Sequence, residues 1–199
     1  MLDASEGMLK VAVEKVKQED LTDRITIKKG ELARISYGNE SFDMAFCEQT
    51  LFLFQKPDVL LKELNRVLKK GAFLVISAQN LYAQCLASLS DKPSPDDVDK
   101  ALSILQRRTY SFMAKDGKVK IYTWTPLEFI EMLKRTGFNL EKIVGKGVTM
   151  PLRISKEVFM KKIYPEKLFH KILKFELAMC ERPDALALAG HLQAIARKA

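Results

Sequence analysis

The chain has 199 residues, 47% of them apolar and 29% charged, which fits one soluble globular domain large enough to bury a core. Nine Gly and seven Pro exclude a collagen-like or Pro/Gly-rich disordered chain. The net charge of +8 comes from cations scattered along the whole chain, with no block of five or six like charges, which argues for a solvated surface rather than a nucleic-acid face.

Taken in order, the residues predict alternating helix and strand, the mark of an α/β domain. Ser5 precedes an apolar stripe of Met8, Leu9, Ala12, Val13 and Val16 and is the expected N-cap of a first helix. Ile25 to Lys29 reads as a short strand closed by Gly30. After the polar turn 38–41, Phe42 to Cys47 is almost continuously apolar, as in a strand buried on both faces. Pro57-Asp58 opens a helix that Lys69, Lys70 and Gly71 are expected to close. Ala72 to Ala78 follows as another buried strand, so the two strands and their helix form a βαβ unit.

From Asn80 to Gln106 the pattern is helical, with a break over residues 91–95. Thr109–Met113 and Lys118–Trp124 flank Lys115-Asp116-Gly117, a hairpin signal. Thr125, Pro126 and Glu128 start a helix that Gly137 ends. Phe138–Val144 predicts a strand, residues 155–189 are mostly helical with breaks at Pro165 and Pro183, and His191–Arg197 predicts the last strand. With no repeat or linker, residues 1–199 read as a single domain, and residues 81–125 as a lid or specificity insert carrying the hairpin.

No apolar run is long enough to cross a membrane, and MLDASEGMLK lacks the apolar segment of a secretory signal. Cys47, Cys85 and Cys180 are widely spaced with no CxxC pair. That pattern suits a reducing cytoplasm and argues against disulfides or a thiolate zinc site, and no metal cluster is visible. Open α/β sheets bind ligands at the carboxyl ends of their strands. Four segments lie there: Asp3 with Ser5, Gly30-Glu31-Leu32, Cys47-Glu48-Gln49, and Ala78-Gln79-Asn80. A carboxylate after a strand can accept two ribose hydroxyls, and a second one can accept an exocyclic amine. Met8 and Leu32 are apolar neighbours for a ring. An acid near a helix start also serves simply as a dipole partner.

In order, LDASEGML, KKGELARISYGNESFDMAF and LLKELNRVLKKGAFLVISA resemble the Rossmann-like (class I) S-adenosylmethionine-dependent methyltransferases. Thr125 to Phe138 and Gly190 to Lys198 are similar to that family's sixth-strand and final antiparallel-strand regions. The resemblance implies an α/β sheet, mostly parallel with an antiparallel last strand and helices on both faces. It implies S-adenosylmethionine as cofactor, with Asp3 on the ribose, Glu31 on the adenine amine and the Leu32 N–H on an adenine ring nitrogen. Met8 would lie near the adenine face, Ser5 and Gly30 beside the two acids, and Cys47 with Glu48 at the methionine end. Glu31 stands where the family has aspartate, Lys70 where it has proline and Ala72 where it has a second glycine.

The family's glycine-rich loop follows a first strand upstream of the ribose acid, which here is residue three. The expected sheet is therefore N-terminally incomplete. Three outcomes are open: a fragment or a misplaced start codon, pairing of exposed sheet edges with a second copy or another protein, or direct pairing of the second and fourth strands. Cofactor binding by the chain alone is expected to be weak. Gly145-Lys146-Gly147 is a Gly-x-Gly that is poor evidence for a replacement loop.

The function implied is methyl transfer to a small-molecule acceptor. Gln79, Asn80, Tyr82, Tyr122 and Trp124 are the candidate acceptor-pocket residues, although packing accounts for each as well. No catalytic base is singled out, and His170 and His191 read as packing residues. Two alternatives are a cofactor-free binding subunit completed by a partner or by self-association, and an RNA methyltransferase suggested only by the charge.

Overall fold

The computed structural model describes residues 1–89, 92–114, 117–148 and 166–199. Two short parallel strands, β1 (Leu2–Asp3) and β2 (Lys28–Lys29), flank helix α1 (Glu6–Gln18) and pair with each other, Asp3 opposite Lys29. The predicted strand from Ile25 shrinks to its last two residues, the only ones with a partner strand. Ser5 caps α1 as expected, its Oγ accepting the Met8 N–H at 3.3 Å. No residue of α1 is fully buried, because this unit has only a two-stranded sheet to pack on.

The main sheet has four strands in the order β3 (Phe42–Cys47), β4 (Leu68–Gln79), β8 (His191–Lys198), β7 (Phe138–Lys146). β3 and β4 are parallel and joined by α2 (Pro57–Val67), while β8 runs antiparallel to both of its neighbours. The sheet is thus a mixed α/β sheet with the reversed last strand that the family resemblance implied. Direct pairing of the second and fourth strands, one of the three outcomes left open, does not form: β1 pairs with β2, and β3 is an edge strand.

Two boundaries differ from the sequence reading. α2 ends at Val67, so Lys69, Lys70 and Gly71 belong to β4 and not to a helix end. Gly71 has φ +75°, and there the β3–β4 register jumps from Phe42↔Leu68 to Met44↔Phe73. An irregularity of this kind needs a residue free of the Cβ penalty at positive φ. The second difference is β3, which is not buried on both faces. Cys47 is buried with Leu74, Ile76, Ala194 and Ala196 against Leu60, Leu61 and Leu64 of α2. On the opposite face Met44 and Phe46 are 47% and 71% exposed. An apolar run cannot distinguish one covered face from two.

Beyond β4, Asn80 caps α3 (Leu81–Ala87), and Ser94 opens α4 (Pro95–Arg107) with a capping box. β5 (Thr109–Ala114) and β6 (Gly117–Tyr122) pair as the predicted hairpin; its Lys115-Asp116 tip lies outside the described residues. Thr125 and Glu128 form the predicted capping box of α5 (Pro126–Arg135), whose Phe129, Met132 and Leu133 are buried in the same core as α2. Gly137, at φ +85°, turns the chain into β7. α6 (Glu166–Cys180) and a 3₁₀ turn at Pro183–Leu188 lead to β8. The expected break at Pro165 and the helix from 155 lie outside the described residues, as does Asp91 of the 91–95 break.

Candidate functional site

The parallel β1–β2 pair places the first group of predicted residues side by side. Asp3 and Lys29 are register partners, and the Gly30 N–H donates to the Asp3 carbonyl at 3.0 Å, so Glu31 follows directly at the same strand ends. Asp3 Oδ1 accepts the Ser5 N–H at 2.8 Å. The Asp3 and Glu31 carboxylates make no ion pair among the described residues, although the chain has a large excess of cations. Lys29, from the register partner, is held instead by Glu6 at 2.6 Å. A Cβ on Gly30 would approach Leu2 Cδ1 to 2.6 Å, so glycine permits this close passage. Leu32 packs partly on the main core, and Met8 is exposed beside Asp3 in sequence but held by no core contact.

Cys47 and Glu48 lie at the carboxyl end of β3, in the other sheet, and no strand pairing connects the two groups. Burial, helped by the Glu48 charge and opposed by a Thr50 hydrogen bond, pushes the Cys47 thiol up to about 12. Glu48 Oε2 accepts from Lys146 Nζ and Oε1 from Gln193 Nε2, both at 2.9 Å. Partial burial raises the Glu48 carboxyl, but these hydrogen bonds and the Lys146 charge outweigh it and hold the group below its ordinary range. The next residue, Gln49, has φ +53° and donates its N–H to Ser77 Oγ at 3.0 Å. Its amide approaches His191 Nδ1 at 3.5 Å. Burial and the nearby Lys146 charge lower the His191 value.

This second cluster contains residues that the sequence did not nominate. Lys146 lies 98 positions from Glu48 and Gln193 lies 145 away, so no local spacing signals them. The Gly145-Lys146-Gly147 segment contributes its lysine rather than a loop of backbone donors. His191, read as a packing residue, stands half-buried in polar company.

The acceptor-pocket candidates gather at the carboxyl end of β4. The Trp124 N–H donates to the Gln79 carbonyl at 3.0 Å, and the Leu81 N–H donates to the Trp124 carbonyl at 2.9 Å. Gln79 Oε1 accepts from Gln84 at 3.0 Å. Asn80 is fully buried and its Nδ2 donates to the carbonyls of Leu186, Ala187 and Ala189 at 2.9, 3.1 and 2.7 Å, while Oδ1 accepts the Tyr82 N–H. Every polar atom of that side chain is engaged within the fold. Tyr82 is exposed, and Tyr122 carries Lys120 over its ring at 5.2 Å. Among the described residues no three His, Cys, Asp or Glu side chains gather as a metal site would require. No helix among them is long and apolar enough to cross a membrane.

Comparison with known proteins bears on the same elements. The family described as "Methyltransferase domain" matches residues 1–76, from β1 into β4. Over 74 residues the chain is 38% identical to a demethylmenaquinone methyltransferase of Bacteroides fragilis, a stretch covering 37% of this chain and 30% of the relative. The chain thus matches less than a third of that relative's length. Among solved structures, an S-adenosylmethionine-dependent methyltransferase from Methanosarcina mazei superposes with TM-score 0.62 at 14% identity, covering 99% of this chain and 80% of that one. The [4+2]-cyclase SpnF superposes with TM-score 0.58 at 16% identity, covering 99% of this chain and 64% of that one. The first 76 residues thus match the methyltransferase-domain family, and the fold of the described residues is that of solved S-adenosylmethionine-dependent methyltransferases.

Proposed function

We propose that the chain binds the adenosine portion of S-adenosylmethionine and serves methyl transfer to a small-molecule acceptor. The observation that carries this reading is the pair of carboxylates at adjacent parallel strand ends, Asp3 and Glu31, which make no ion pair among the described residues of a chain of net charge +8. Asp3 suits the ribose hydroxyls, since Oδ2 remains open while the Ser5 N–H holds Oδ1. Glu31 suits the adenine amine, with the Leu32 N–H beside it and Met8 available to the ring. Cys47 and Glu48 are proposed at the methionine end. There the Glu48 carboxylate already has two partners, so the chain's own residues favour the adenosine half. The bound cofactor supplies an electrophilic methyl group. The chain's part is to position it and the acceptor, held by the 79–82 and 122–124 segments, in line.

A second reading is favoured by β3. With Phe46 71% exposed on an edge strand, the chain can act as a subunit completed by a second copy or another protein. SpnF shows that a protein of this fold is named for a reaction other than methyl transfer, so fold alone does not establish chemistry.

Saturation-transfer NMR with S-adenosylhomocysteine tests the leading reading. The adenine and ribose protons should show the strongest transfer, and Asp3→Ala with Glu31→Ala should remove it. Transfer dominated by the methionine protons, or unchanged in the double variant, refutes it.

A further inference from the structure

Polar and basic side chains gather between α4 and the β5–β6 hairpin. Ser103 and Arg107 are four apart on α4 and therefore share one helix face. Thr109 and Ser111 alternate on β5, and Ser111 is the cross-strand partner of Lys120, which lies two residues from Lys118 on the same face of β6. These side chains line a cleft of about 700 Å³ whose wall, among the described residues, has no Asp or Glu. The neighbouring Arg108 is held by Glu128 at 2.6 Å, so it is not available to the cleft. Arg107 and Lys118 have no such partner among the described residues, and Lys120 contacts only the Tyr122 ring.

We propose that this cleft binds a phosphoryl or pyrophosphoryl group of a small ligand. Lys118 and Lys120 sit two strand positions apart, roughly 7 Å, so their mutual repulsion is relieved by an anion placed between them. A carboxylate offers two oxygens, too few for the guanidinium, two ammonium groups and four hydroxyls of the wall, Tyr110 included. A pyrophosphoryl group has enough oxygens to accept from all of them. The hairpin is rooted at the carboxyl end of β4: the Thr123 N–H donates to the Arg108 carbonyl at 2.9 Å and the Trp124 N–H to that of Gln79 at 3.0 Å. A ligand anchored in the cleft is thereby tied to the same end of the sheet as the acceptor segments. The anion site itself rests on none of the cofactor residues and stands whether or not methyl transfer does.

The test is a titration of the full chain with inorganic pyrophosphate, followed by amide NMR at about 0.02 M and then about 0.3 M salt. Saturable shifts should centre on Ser103, Arg107, Ser111, Lys118 and Lys120. The doubly substituted Lys118→Gln/Lys120→Gln chain should bind about tenfold more weakly or worse. Lys10→Gln/Lys15→Gln, which removes the same charge from α1, should stay within about twofold of the parent. All four lysines are exposed, so both variants should keep the fold, which circular dichroism verifies. Shifts spread evenly over surface lysines, or equal weakening in the two variants, would overturn the proposal. A single-stranded RNA of about 12 nucleotides binding more than tenfold tighter than pyrophosphate would overturn it too, by assigning the cleft to a nucleic-acid backbone.

Discussion

Glu48 and Lys146 are joined at 2.9 Å across the end of the sheet, linking the carboxyl end of β3 to the end of β7 over the two strands between them. The pair positions Gln193 and lies beside His191, so titration in this cluster should be visible in stability. Glu48 has a lowered value in the folded chain, so its contribution is fully present above the ordinary 4.5 and is lost as pH falls through the folded value. Denaturant titrations should show the parent losing more stability than Glu48→Gln as the pH drops below about 4.5.

His191 is also lowered, so the folded chain binds fewer protons there than the unfolded one. Stability should be complete above the ordinary 6.5 and should decline as pH falls from there toward the folded value. His191→Gln should flatten that part of the stability profile while leaving the Glu48 region in place. An unchanged slope between pH 7 and 5 would contradict the assignment.

Cys47 is buried and its thiol is raised to about 12, so at pH 8 only about one molecule in ten thousand carries the thiolate. Cys85 and Cys180 are less buried. Labelling with a thiol reagent should reach those two in the native chain and Cys47 only after denaturant is added.

Asn80 binds three backbone carbonyls with no water-facing atom, so Asn80→Ala should cost more than about 2 kcal/mol by leaving those acceptors unpaired. Asn80→Asp should be worse, because a carboxylate would face the same carbonyls. Chemical denaturation measures both, and a loss below about 0.5 kcal/mol for either would remove this side chain from the framework.

Phe46 and Phe129 test the two faces of the sheet. Phe129 is fully buried, and Phe129→Ala should destabilise by about 3–5 kcal/mol. Phe46→Lys should alter monomer stability by less than about 0.5 kcal/mol while reducing binding of a hydrophobic dye. If β3 edges pair in solution, light scattering should show the parent larger than a monomer and Phe46→Lys reduced to one.

The local signals in the sequence held where one residue type has one physical use. Ser5 and Thr125 cap helices because their hydroxyls accept free N–H groups, and Thr109–Ala114 pairs with Gly117–Tyr122 as the Asp-Gly hairpin signal indicates. The adjacency of Asp3 and Gly30-Glu31 was also legible, because strand ends collect such residues. The exposure of Phe46 was not, since an apolar strand looks the same whether one face or two are covered. Nor was the end of α2 at Val67, because Lys69-Lys70-Gly71 fits a helix terminus as well as a bulged strand.

What the sequence determined by itself was the order of elements, their caps and the family's motifs, all of which depend on neighbours within a few residues. The tertiary structure alone decided which distant groups meet. Lys146 and Gln193 reach Glu48, Asn80 is drawn into the 186–189 carbonyls, and Arg107 faces Lys118 and Lys120 across a cleft. These pairings follow from strand order and packing, which bring together charges and dipoles that no periodicity in the chain connects.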